Sequence, residues 1–423
     1  MKHKYLVLGL ITTALLGCGE VQLAADVAPV ELDKNTEIAD GTMMLKGQWI
    51  TEPNGDVMID PQTSGLTVWY DKLVSLSDRS ADVSQRDAAA VISPDTAKLS
   101  GEQMMLSLSE SLKDSCFAGY IQGNPDLEAL VAVPDEPGVF LTISEDASSY
   151  KGLSESCVTQ YGESDSVDYP FVLIRLEVQQ DNSVLMTHAR PLKFSPSFNL
   201  GDYPNDGIEG LALSQDGRLY FALERDAQDR ARIFTTTVNQ DTWLHDGFIV
   251  VEDSKVKLPA FKHGNHPINA LELYERDGHE YLFAAARNDE KLWLVDLAGQ
   301  QETLIINLGF YAAVNEPDDI CPAWEPMDNA SIEGLTIIDD TLWMVNDPWK
   351  KVYLNNISCE QNRAKFEKMA PLLFNLPIQD AWFTLGGTSA ETLFKRLANV
   401  FLNLASFGAT TILQYWFWGL LLK

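Results

Sequence analysis

The stretch NDGIEGLALSQDGRLYFALERD (205–226) contains a polar entry, an apolar run, a Gln-Asp-Gly turn and a second apolar run that ends in charge. Two runs of strand length around an Asp/Gly turn read as a β-hairpin. The pattern recurs. DPQTSGL (60–66), NPDLEAL (124–130), NHPINAL (265–271) and NASIEGL (329–335) align with its first seven residues without a gap. Their second runs are KLVSLSDR (72–79), GVFLTISED (138–146), EYLFAAARND (280–289) and TLWMVNDP (341–348). The closing leucines, Leu66, Leu130, Leu211, Leu271 and Leu335, fall at intervals of 64, 81, 60 and 64.

Further runs fill out the units: RIFTTTV (232–238) and FIVVED (248–253), then KLWLVDL (291–297) and TLIINLG (303–309). About four short strands per repeat is the make-up of a propeller blade, and a helical solenoid would need a 3.6-residue period that these runs lack. The expected fold is therefore all-β, a β-propeller with five visible blade repeats and five or six blades. A Ser-, Glu- and Asp-rich insertion around 145–168 accounts for the long interval, and residues 80–120 have room for a degenerate sixth blade. Ring closure is expected to pair a strand near GQWITEP (47–53) with one near APLLFNL (370–376).

The ends follow other rules. Lys2 and Lys4 precede an apolar stretch from Tyr5 to Leu16, closed by Leu15-Leu16-Gly17-Cys18. This reads as an export signal over 1–17, too short for an ordinary membrane span. A small residue before a cysteine resembles a bacterial lipobox, which implies lipid on Cys18; an ordinary signal peptide with an incidental cysteine is the alternative. Gly19 in place of an aspartate implies outer-membrane sorting, on its periplasmic face. Residues 18–45 read as a polar tether, 46–382 as the propeller and 383–423 as an apolar C-terminal helical tail. From Leu397 to Leu422 the tail carries no charge. Three readings of it stand: a membrane or interfacial helix, a helix docked on the propeller, or a misread frame.

With Cys18 lipidated, Cys116, Cys157, Cys321 and Cys359 remain. An even number in an oxidising compartment suggests disulfides, and the separations suggest Cys116–Cys157 and Cys321–Cys359. No CxxC spacing supports zinc. The 61 acidic residues against 31 basic ones, a net charge of −30, exclude nucleic acid as a partner.

In a propeller the first strand of each blade lines the central channel. The repeat sets Glu128, Glu209 and Glu333 at equivalent positions, with Asn269 and Ser64 as variants, and Asn124, Asn205, Asn265, Asn329 or Asp60 four residues earlier. The second runs end in Asp78, Glu145, Glu224, Arg287 and Asp347, with Arg79 and Arg225 adjacent to two of them. One reading is architectural: the Asn enters the strand through an Asx-turn, the Gly or Ala after the Glu lets sheets pack around a narrow axis, and the Glu accepts hydrogen bonds. The other is functional. Converging carboxylates repel, which raises pKa values or recruits a cation, and calcium takes six to eight oxygens. Glu128, Glu209 and Glu333 are then the candidate metal ligands. Arg79, Arg225 and Arg287 are candidate clamps for a small anion.

IEGLALSQDGRLYFALERD (208–226) and SIEGLTIIDDTLWMVNDP (331–348) resemble the phytase-like or esterase-like bacterial β-propeller proteins and the related SdiA-regulated propellers. The resemblance spans roughly 47–380 and implies a propeller, with calcium and ester hydrolysis as expectations. The Asp-Ala-Asp-Asp-Pro-Ala-[Ile/Val]-Trp run of calcium-dependent propeller phytases is absent; Cys321-Pro322-Ala323-Trp324 matches only its tail. No Gly-x-Ser-x-Gly elbow exists. His263 and His266 read as a solvated loop, as do Asn315 to Asp319. Two functions follow. The first is a lipid-anchored envelope propeller that binds a cation, a small anion or a partner protein at its channel mouth. The alternative is a calcium-dependent hydrolase of phosphate or carboxylate esters.

Overall fold

The computed structural model describes residues 41–101, 103–122, 125–145, 153–162, 164, 171–200, 207–261 and 266–383. The expected signal with Cys18, Asn124, Asn205, His263, Asn265 and residues 384–423 of the tail lie outside them. Among the described residues no helix is long and apolar enough to cross a membrane.

Each repeat forms the innermost strand of one blade. These strands are Thr63–Trp69, Leu127–Ala132, Ile208–Leu213, Ile268–Arg276 and Ile332–Ile338, in blades 1 to 5. Each packs against the next and the fifth packs against the first, so the ring closes at five. The second strands, Lys72–Ser77, Val139–Ser144, Arg218–Leu223, His279–Ala286 and Thr341–Asn346, pair antiparallel with them. Asp277-Gly278 and Asp339-Asp340 turn two of these hairpins with both residues at positive φ, the backbone that two-residue hairpins need.

No sixth blade hides in 80–120. Ala88–Ser93 is the third strand of blade 1, and Met104–Leu108 bridges it to Val184–Lys193 of blade 2. The expected closure is present. Met43–Trp49 completes blade 5 through Gln48↔Leu373 and Trp49↔Leu372, and runs parallel to Leu304–Ala313 of blade 4. Opening the ring therefore means breaking a sheet that contains both ends of the domain.

The insertions form short helices, α1 (Glu110–Lys113), α2 (Ala118–Ile121) and α3 (Glu155–Tyr161), followed by α4 (Glu360–Glu367) in blade 5. Cys116–Cys157 ties the first insertion to α3, with Cα atoms 5.6 Å apart; a loop of this length is stabilised by about 4 kcal/mol. The second expected disulfide is corrected. Cys321 and Cys359 are buried free thiols, packed with Val314 and in hydrogen-bond contact. Glu325 holds this region without a cross-link, accepting from the backbone N–H of Ser358 and Cys359 and from Asn362.

Candidate functional site

The small residue after each repeat Glu is explained by the axis. A Cβ on Gly65 would meet the Ala129 carbonyl carbon at 2.6 Å, on Gly210 the Leu271 nitrogen at 3.0 Å, and on Gly334 the Leu66 nitrogen at 3.0 Å. Backbones of neighbouring blades thus touch around the channel. Together with the ring of leucines they leave about 10 Å³ there, at most about one water. The channel is closed from below.

Just above that floor, every innermost strand slips register: between Thr63 and Gly65, Glu128 and Val131, Ile208 and Gly210, Ile268 and Ala270, and Ile332 and Gly334. Such a bulge bends the strand and re-aims a side chain; in four blades the residue it displaces is the repeat Glu or its variant, and in blade 2 the slip falls just after Glu128, over Ala129 and Leu130. One hydrogen bond then sets the second-strand acid beside it. Asp78, Glu145, Glu224 and Asp347 donate their backbone N–H to the carbonyls of Gln62, Asp126, Gly207 and Ser331 at 3.0, 3.0, 2.8 and 2.7 Å. Each acceptor is the third residue of its repeat.

The result is an acidic cup of about 250 Å³ at the mouth, walled by Asp78, Asp126, Glu128, Glu145, Glu209, Glu333, Asp347, Arg79, Arg287 and Trp349. Glu224 lies behind it, 3.3 Å from Arg287. Eight carboxylates thus face two guanidiniums. Burial, followed by repulsion from Glu209, holds Glu128 and Glu145 well above the ordinary carboxylate range. Glu209 is raised by burial and Glu224, and Asp347 by burial and Glu333. Burial raises Asp126 to about 6 against the pull of Arg79, and Glu333 to about 7 against that of Arg287.

The expected residues separate into groups. Glu128 sits with Asp126 and Glu145, and one carboxylate oxygen of each lies within 4.8 Å of the others. Asp126 and Glu145 hydrogen-bond each other, which requires a proton between them. Glu333 pairs with Arg287 across the cup, and Glu209 lies on the wall between them. The expected metal set therefore shares one cup, but the trio at ligand spacing is Asp126, Glu128 and Glu145. Asn269 is fully buried at its repeat position. Asn329 takes a left-handed φ of 51°, as Asp60 does at 42°, but neither makes the expected Asx-turn: among the described residues Asn329 Oδ1 and Asp60 Oδ1 accept no hydrogen bond, and the other Asp60 oxygen pairs with Lys350 at 2.9 Å.

The arginines do not form a common clamp. Arg79 is bound to Asp126 at 2.9 Å, Arg287 to Glu333 and Glu224, and Arg225 pairs with Asp229 at 3.7 Å without lining the cup. His266 is part-buried against Asp289 at 2.7 Å, and Asp318 accepts the N–H of Ile320 and Cys321 in an exposed turn.

The family model described as "Phytase-like: Esterase-like activity of phytase" matches residues 62–348, the span of all five repeats. The chain belongs to the phytase-like family. No curated protein matches it. Solved structures similar to this phytase-like chain include the Malassezia sympodialis allergen Mala s 1, at 7% identity and a TM-score of 0.41, covering 75% of this chain and 94% of that one. A streptogramin B lyase shows 11% identity and a TM-score of 0.32, covering 75% and 95%. Likeness this distant carries no argument about activity.

A divalent cation fits the cup's residues. Two oxygens that share a calcium at 2.3–2.6 Å can lie at most about 5 Å apart, and 4.8 Å falls inside that limit. The donors are all carboxylate oxygens, which suit calcium or magnesium over zinc or copper.

Proposed function

We propose that this phytase-like propeller is an exported, lipid-anchored envelope protein whose axial cup binds calcium through Asp126, Glu128 and Glu145. The observation that carries the reading is the convergence of these three buried carboxylates within 4.8 Å, in a cup where neighbouring acids already raise one another. A bound divalent cation would replace the protons that this crowding demands. Leu15-Leu16-Gly17-Cys18 supports export and anchoring at the outer membrane. A free anion is disfavoured, since each cup arginine is already bound to acids.

Equilibrium dialysis of labelled calcium against the purified full chain tests the reading. One saturable site is expected, lost in Asp126→Asn and kept in Arg225→Ala. Binding unaffected by Asp126→Asn would reject the assignment.

A second reading, ester hydrolysis at the same cup, is favoured by Glu333. Its carboxyl is raised to about 7, the range a general base needs at neutral pH. Bound calcium would supply charge stabilisation for a phosphate or carboxylate ester. Glu333 would take the proton from water as the water oxygen bonds to the ester centre, and would return that proton to the departing alkoxide as the bond to the alcohol oxygen breaks. Glu209 borders both halves of the cup. Turnover of phosphate and carboxylate nitrophenyl esters that needs calcium and vanishes in Glu209→Gln and Glu333→Gln, both still folded, is the expected outcome. Calcium binding without turnover would leave the protein a binding module.

A further inference from the structure

A second cavity, of about 480 Å³, lies between blades 3 and 4 and shares no lining residue with the cup. Its size falls within the roughly 300–1,000 Å³ of small-molecule sites. One wall is the loop after the second strand of blade 3, residues 228–232. Asp226 shapes that loop by accepting the backbone N–H of Gln228 and Arg230 at 2.9 and 3.2 Å. One Asp226 oxygen also takes Arg230 at 2.6 Å and Arg232 at 3.3 Å, and Arg232 reaches on to Asp253 at 2.7 Å. Burial pushes the Asp226 carboxyl up, but hydrogen bonds from Arg230 and Gln228 outweigh it and leave its pKa below the ordinary value. One buried carboxylate therefore sets two guanidiniums side by side on the cavity wall. The Arg230 side chain is 59% exposed, and its Nη1 makes no hydrogen bond among the described residues.

The rest of the lining is apolar and aromatic. It comes from residues 258–261 on the crossing to blade 4, from His266 in the blade 4 repeat, and from Trp293 in the strand Lys291–Asp296. Phe261 stacks on His266 with ring centroids 3.7 Å apart and on Trp293 at 5.6 Å, and Asp289 holds His266 at 2.7 Å. Phe261 is 37% exposed, so this aromatic wall is accessible. The charge balance reverses that of the cup. Arg230 and Arg232 meet one lining carboxylate, Asp229, which pairs with Arg225 at 3.7 Å. Guanidiniums take a carboxylate in forked hydrogen bonds, and aromatic faces take another ring by offset stacking. Asp226, Asp253 and Asp289 stand behind the lining and disfavour a ligand with more than one negative charge.

We propose that the cavity between blades 3 and 4 binds a small aromatic monocarboxylate, with its carboxylate on Arg230 and Arg232 and its ring against Phe261. The site is independent of the cup, and its test holds whether or not the cup binds calcium.

Isothermal titration of the full chain with benzoate, phenylacetate and cinnamate tests it, with benzyl alcohol, acetate and inorganic phosphate as comparators. At least one aromatic carboxylate is expected to bind saturably and more tightly than every comparator. Arg230→Gln, at a half-exposed side chain, should keep the melting temperature and weaken that binding about tenfold, equivalent to about 1.4 kcal/mol. Phe261→Ala should weaken it as well; if that variant fails to fold, Phe261→Leu keeps the apolar bulk and removes the flat face. No saturable binding of any aromatic carboxylate at tens of millimolar would overturn the proposal. Benzyl alcohol binding as tightly as the carboxylates, or binding unchanged in Arg230→Gln, would overturn it too. So would inorganic phosphate that binds more tightly than all three.

Discussion

Blades 2 and 4 are built on the same repeat and use it in opposite ways. Blade 2 has Asp126, Glu128 and Glu145 at the third repeat position, the fifth repeat position and the end of the second strand; blade 4 has Pro267, Asn269 and Arg287. Both inner strands slip register near the fifth repeat position, blade 4 at Asn269 and blade 2 just after Glu128. Blade 2 therefore concentrates negative charge, while blade 4 supplies the guanidinium that neutralises its neighbours Glu224 and Glu333. A single ring can hold so many buried acids because one blade departs from the pattern.

The largest expected effect comes from reversing that departure. Arg287→Met strands Glu224 and Glu333 without their partner, and breaking a buried pair typically costs about 3–5 kcal/mol. Chemical denaturation at neutral pH should show a loss of that order. Lowering the pH should restore much of it, because a protonated Glu333 needs no cation.

The next effect is pH dependence of the metal-free protein. Asp126 is raised from 3.8 to about 6 and Glu333 from 4.5 to about 7, so in this window the folded state binds more protons than the unfolded one. Stability therefore falls as pH rises through that window, by about 1.4 kcal/mol per pH unit for each proton involved. Glu128, Glu145, Glu209 and Asp347 shift in the same direction. Saturating calcium should flatten or reverse the slope. A metal-free melting temperature that climbs from pH 5 to 7 would contradict the electrostatic account of the cup.

Blade 2 should respond with the opposite sign to blade 4. Glu128→Gln removes one repelling charge and keeps the shape, so the metal-free protein should gain about 1 kcal/mol while calcium binding is lost. If Glu128→Gln destabilises instead, the carboxylate is an architectural hydrogen-bond acceptor. The smallest effect is expected at Arg225, whose pair with Asp229 is largely exposed. Arg225→Ala should change stability by no more than about 0.5 kcal/mol.

The fold was readable because a propeller writes its repeat into the chain five times. The closing strand was readable too, since Gln48 and Trp49 lie in an apolar run that no blade had claimed. Cys116–Cys157 followed from pairing by separation; the same rule did not hold for Cys321 and Cys359, which Glu325 and close packing hold as thiols. The cup was legible only in outline. Its bulges depend on cross-strand register, which no single segment displays, and without them Asp126 reads as an ordinary turn residue. Its signal was the third repeat position, whose carbonyl binds the second-strand acid. The arginines misled because the repeat does not show which acid each one meets: Arg225 turns to Asp229, while Arg79 and Arg287 bind acids of the cup.

The most direct test of the central claim, that the cup is a cation site, is the melting temperature of the full chain with millimolar calcium and then with a chelator. A ligand at a hundred times its dissociation constant stabilises the native state by about 2.7 kcal/mol, which for a domain of this size means a rise of several degrees. The account predicts that rise, and predicts that Asp126→Asn abolishes it. An unchanged melting temperature would contradict it and leave the ring of acids as architecture.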